Sequence, residues 1–149
     1  MNKENTSSIF GDDAARAVQK LMTRVEDVRQ GMEKLVDEAK ADFEPTAREF
    51  LDMHQKHADR LRTLCKEHGF DVEDGGSIMS KINETVVSAR AQFDTVDQSV
   101  MAAVRNGEQH VLNAFDDAIN KVEDDRLREK LTSMRNDLRD CVERPRHMG

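Results

Sequence analysis

The residue of this sequence best placed to do chemistry is Glu108, because it interrupts an apolar stripe. When residues 100–122 are projected as a helix, Glu108 falls within one broad apolar face. That face consists of Val100, Val104, Val111, Leu112, Ala114, Phe115, Ala118, Ile119 and Val122. An unpaired carboxylate there would cost several kcal/mol to bury. We therefore expect a cation, a metal ion or a proton opposite Glu108.

Two histidines could supply such a partner. His54 and His57 lie within the apolar face of a predicted helix, three residues apart. Side chains at this spacing can turn toward one point, and metal sites in helical bundles use it. Neutral core histidines that hydrogen-bond to a neighbour are the commoner use of such positions. Asp137, at the margin of the apolar stripe of the last helix, is a further candidate ligand.

A cation also interrupts the apolar pattern, on the first predicted helix. Arg29 projects between Val25, Met32 and Val36. It could lie at the edge of the apolar arc, with its long side chain carrying the guanidinium out to water. It could also lie inside the arc, where it would need a carboxylate partner.

The elements that must position these side chains are amphipathic helices. Apolar residues recur at three- and four-residue steps over 13–40, 45–68, 100–122 and 125–143. A shorter helix is predicted to begin at Ser77, so a crossover could join the second long helix to the third. Residues 1–12 are predicted to be a flexible arm and 145–149 a frayed tail, with a single bundle domain over 13–144.

Composition narrows the class of protein. The chain has 149 residues, 36% charged and 37% hydrophobic, with two prolines and no Trp or Tyr, which suits an all-α protein. Its net charge is −7, and the interleaved charges form no basic patch for nucleic acid. No signal peptide or membrane-spanning run is evident, which predicts a cytoplasmic protein with no membrane contact. Cys65 and Cys141 are expected to be buried, reduced thiols.

Two segments of the chain contain short motifs that are similar to those of a known family. In the closing half of the chain, the motif residues are Arg105, Gly107 and Glu108, followed by Phe115 with Ala118. The segment 57–82 ends one helix at a glycine, continues through an acidic loop, and begins the next helix at a Gly-Ser step. With these motifs the chain resembles an uncharacterised bacterial ferritin-like family, and the resemblance covers about residues 18–144. It implies a ferritin-like up-down four-helix bundle with an extra short helix in the crossover, in a family whose members are mostly of unknown function.

The sequence departs from the di-iron site found in many ferritin-like bundles. Such a site takes one Glu from each of two helices and a Glu-x-x-His pair from each of the other two. Glu108 occupies one single-Glu position, and the resemblance puts Arg29 at the other. The second helix offers His54-x-x-His57, and the last offers Met134-x-x-Asp137. These carboxylates are too few to bridge two iron ions, and no other catalytic arrangement is evident, so we expect the protein not to be an enzyme.

Three hypotheses follow. The leading one is a non-catalytic bundle without a cofactor, with an interaction or stress-related role, in which a buried Arg29–Glu108 ion pair replaces the charge of the lost metal. The alternative is a mononuclear zinc or iron protein that uses His54, His57, Glu108 and Asp137. The third is a coiled-coil adaptor whose helices open to pair with other chains.

A homodimer or higher homo-oligomer is also expected, with a protein partner as a further possibility. The arm contains Ile9 and Phe10, and the third helix has a broad apolar face. One four-helix core could leave part of these surfaces uncovered.

Overall fold

The computed structural model describes residues 12–69 and 98–144, which form an all-α structure. Its helices are α1 (Asp12–Glu38), α2 (Glu44–His68), α3 (Met101–Lys121) and α4 (Asp125–Glu143), with a 3₁₀ turn at Gln98–Val100. No strand occurs in these ranges. The four predicted long helices are confirmed, with boundaries within two residues of those expected. The short helix predicted from Ser77, together with residues 1–11 and 145–149, lies outside the described residues.

Local sequence signals fix the helix ends. Pro45 lies in the first turn of α2, where its missing N–H is not needed. Gly69 ends α2 in the left-handed conformation (φ 76°), and its amide donates to the carbonyls of Cys65 and Lys66. The side chain of Asp124 accepts a hydrogen bond from the Leu127 amide at 2.9 Å, which caps the N-terminus of α4.

The four helices pack as a bundle in which each helix contacts two neighbours, so that the contacts form a closed ring. α1 packs against α2 and α3, and α4 packs against α3 and, less closely, against α2. One core cluster combines the first half of α1 with the second halves of α2 and α3 and most of α4. Neighbouring helices in the ring are therefore antiparallel. α2 and α3 are parallel and face each other diagonally, so α2 ends and α3 begins at opposite ends of the bundle.

A polar layer divides the core into two apolar clusters. The larger cluster includes Leu21, Leu61, Phe115 and Leu131, and the smaller includes Met32, Phe50, Met101 and Cys141. Between them along α2 and α3 lie the buried polar residues His54, His57 and Glu108. None of the helices in the described ranges is long and apolar enough to cross a lipid bilayer.

Candidate functional site

The centre of the polar layer is a direct contact between His54 of α2 and Glu108 of α3. The His54 Nε2 atom lies 2.7 Å from the Glu108 Oε2 atom, and both side chains are fully buried. Because α2 and α3 are diagonal neighbours, this hydrogen bond crosses the middle of the bundle. It joins an imidazole to a carboxylate at a place that no solvent reaches. One oxygen of the carboxylate is thereby bonded to a histidine, a partner that the sequence pattern allowed.

Each member of this layer retains a second polar atom without a hydrogen-bond partner in the structure. These atoms are Nδ1 of His54, Nδ1 of His57 and Oε1 of Glu108. Buried polar atoms without partners are uncommon in native cores and cost free energy. The layer is therefore a polar element in an otherwise apolar interior, sensitive to changes in any of its three side chains.

His57 lies between the core and the surface of the bundle. Its ring meets the Phe115 ring edge to face, with centroids 6.0 Å apart and an interplanar angle of 78°. Burial is the main cause that lowers the pKa of His57 to about 4, and the nearby His54, Arg60 and Lys56 lower it further. His57 is therefore neutral near pH 7.

This pKa predicts a loss of stability in mild acid. Between pH 6.5, the ordinary histidine value, and about pH 4, the unfolded chain binds a proton at His57 that the folded chain does not. The contribution of His57 is therefore fully present above pH 6.5 and is lost progressively as the pH falls toward 4. Urea unfolding at pH 7 and pH 5 should show a larger loss for the wild type than for His57→Phe, which has no titrating group.

His110 provides the matched control for this experiment, because it lies on the exposed face of α3. The His110→Phe variant should lose as much stability as the wild type between the two pH values. Equal losses for the wild type and the His57→Phe variant would contradict the assignment of the acid sensitivity to His57.

Arg29 does not take part in the polar layer. Its guanidinium lies 3.3 Å from the carboxylate of Glu26 and 3.1 Å from that of Glu33, both on α1, and its side chain is 23% exposed. The predicted Arg29–Glu108 ion pair is therefore wrong, since Glu108 bonds to His54 instead. The physical reason is that Arg29 lies at the margin of the apolar arc, where it finds carboxylates on its own helix and keeps contact with water.

Asp137 also lies away from the buried pair. It is exposed on α4, whereas His54 and Glu108 are enclosed. In residues 12–69 and 98–144, no three His, Cys, Asp or Glu side chains come close enough to hold a metal ion. The predicted ligand set of His54, His57, Glu108 and Asp137 therefore does not converge, and only His54 and Glu108 are in direct contact.

A groove separates α2 from α4, and sequence reasoning missed it. Its volume is about 880 Å³, and its lining includes the buried His57 and the partly buried Met53. Charged side chains of both signs form the walls: Glu49, Asp52, Lys56, Asp59 and Arg60 from α2, and Asp137, Asp140 and Arg144 from α4 and its end. The alternation of charges along α2 was visible in the sequence, but the gap between the two helices was not.

The family assignment covers most of this architecture. Residues 13–121 match the model of a protein family described as "Domain of unknown function (DUF2383)". The chain belongs to this family. The DUF2383 match includes α1, α2 and α3, and with them His54, His57 and Glu108, whereas α4 follows it. Neither the curated proteins nor the solved structures include a significant match to the chain.

Proposed function

We propose that this DUF2383 protein is a non-catalytic, ferritin-like helical bundle of the cytoplasm that acts through interactions with other protein chains. The antiparallel neighbours, and the parallel diagonal relation of α2 and α3, support the ferritin-like arrangement. A pair of side chains at mid-height, on helices that face each other diagonally, also suits this arrangement.

The observation that carries the proposal is the enclosure of Glu108. Its side chain has no exposed surface, and one carboxylate oxygen is already bonded to His54. An external substrate cannot reach such a group, and a di-iron centre would need several more carboxylates around it. Asp137 is exposed on α4, and Arg29 lies at the margin of α1. Neither position supplies a carboxylate next to Glu108, so the described residues there do not fit such a centre. We infer that the pair contributes a buried hydrogen bond between α2 and α3 and does not react with a substrate.

Metal titration tests this proposal. We expect full-length protein, purified without chelators or an affinity tag, to contain no stoichiometric metal. Its unfolding midpoint should not change when Zn²⁺, or Fe²⁺ under anaerobic conditions, is added. A metal at 100 times its dissociation constant would raise the free energy of unfolding by about 2.7 kcal/mol, a shift that is easily measured.

The Glu108→Gln variant, which keeps the side-chain volume, is the control for a specific site. One bound metal per chain, lost in both the Glu108→Gln and the His54→Ala variants, would contradict the proposal and establish the mononuclear metal site instead. Metal bound equally by the wild type and by both variants would be surface binding and would leave the core pair as described.

A further inference from the structure

The groove between α2 and α4 contains charges that find no ion-pair partner among residues 12–69 and 98–144. Glu49 pairs with Arg144 across the groove, and Asp59 lies 3.5 Å from Arg62. These two carboxylates are therefore already matched, and the remaining charges determine what the groove can bind.

The remaining charges are divided between the two walls. On α2 they are Lys56 and Arg60, together with Asp52, and on α4 they are Asp137 and Asp140. Within the described residues, Asp140 makes only a 3.9 Å contact with Arg139, and the other four have no ion-pair partner. Of these remaining charges, α2 therefore presents two cations and one carboxylate, and α4 presents two carboxylates.

Two adjacent walls whose remaining charges are opposite in sign suit a second copy of the same surface. In a two-fold symmetric dimer each contact occurs twice, so one surface must carry both members of each contact. With α2 of one copy over α4 of the other, each positive wall would meet a negative wall. A purely basic or purely acidic partner would match only one wall and would be repelled by the other.

We propose that a second copy of this chain docks on the α2–α4 groove, with Lys56 and Arg60 of each copy facing Asp137 and Asp140 of the other. The contact would also cover the partly buried Met53 and the buried His57. Because each copy has a net charge of −7, association depends on this local complementarity and should weaken as salt is added. The inference rests on the proposed interaction role and does not depend on the metal result.

Charge reversal tests the proposal with the full chain. In one variant Lys56→Glu and Arg60→Glu make both walls acidic, and in the other Asp137→Lys and Asp140→Lys make the α4 wall basic. Each variant alone should dimerise on the order of 100-fold more weakly than the wild type, because like charges then face each other. An equal mixture of the two should form a heterodimer, because both contacts are again between opposite charges. Sedimentation velocity over a wide range of concentrations measures all of these states.

A control variant has the same change of net charge as the first variant but leaves the groove intact. It carries Lys20→Glu and Arg105→Glu, at exposed positions that do not line the groove, and it should dimerise as the wild type does. A wild type that stays monomeric, a dimer that resists both reversals, or a mixture that fails to associate would each overturn the inference. A monomeric wild type would leave the metal test unaffected, so the two proposals can fail separately.

Discussion

Replacement of Glu108 by alanine is expected to lower the free energy of unfolding by about 3 kcal/mol. The substitution would leave the Nε2 atom of His54 buried without its partner, at the cost of an unsatisfied polar group. It would also open a cavity between the two apolar clusters, where neighbouring side chains can relax only in part. Urea unfolding at pH 7, with the midpoint and slope compared with those of the wild type, measures the loss.

Two further variants separate the pair from the surrounding core. The double change His54→Leu and Glu108→Leu should recover most of the loss, since apolar residues of similar volume can replace a buried polar pair. Arg29→Met should change stability by less than about 0.5 kcal/mol, because Arg29 is partly exposed and bonds to carboxylates on its own helix. This assignment would be contradicted if the changes at His54 and Glu108 lowered the free energy of unfolding additively in the double variant. It would also be contradicted if Arg29→Met lowered it as much as Glu108→Ala.

The helices could be predicted from the sequence because their signals are local. The apolar period located all four long helices, and Pro45 and Gly69 marked the ends of α2. These signals depend on neighbouring residues along the chain, and tertiary packing did not override them. The burial of His54 and Glu108 followed from the same period, because both lie near the middle of an apolar face.

The partner of Glu108 could not be predicted in the same way. The spacing of apolar residues along α1 places Arg29 within reach of the apolar arc. The same spacing does not distinguish a position at the margin of that arc from one in its interior. That difference depends on how closely α2 packs against α1 and on the carboxylates of Glu26 and Glu33. Glu26 also bonds to Arg62 of α2 at 3.3 Å, a contact between helices that no spacing along one helix reveals.

The groove escaped prediction for a related reason. In the sequence, the pattern of α2 and α4 indicates that Lys56, Arg60 and Asp140 lie on ordinary solvated faces, and it places Asp137 at the margin of an apolar stripe. Their functional meaning arises only when the two faces lie side by side, which depends on the diagonal relation of α2 and α3 and the looser contact of α4 with α2. Distances between helices are set by the whole core, so the sequence of either helix alone does not contain them.

Removal of α4 is expected to abolish cooperative unfolding, although α4 follows the residues that match DUF2383. α4 buries five core side chains almost completely: Leu127, Leu131, Met134, Leu138 and Cys141. Each large apolar side chain contributes about 1.5–3 kcal/mol by burial, and small domains are stable by only about 5–15 kcal/mol. A chain that ends at Val122 would also expose the face of α3 that contains Phe115. We therefore expect helical content without a sharp transition in circular dichroism during thermal and urea unfolding.

Two controls distinguish the loss of α4 packing from a shorter chain. A chain that ends at Arg144 keeps every residue of α4 and should unfold cooperatively. Within the full chain, Leu131→Ala should cost about 3 kcal/mol, because Leu131 is fully buried, whereas Lys130→Ala at the exposed neighbouring position should cost less than about 0.5 kcal/mol. If the chain ending at Val122 keeps a cooperative transition at the wild-type midpoint, residues 1–122 fold on their own. In that case α4 would contribute one wall of the groove without stabilising the fold.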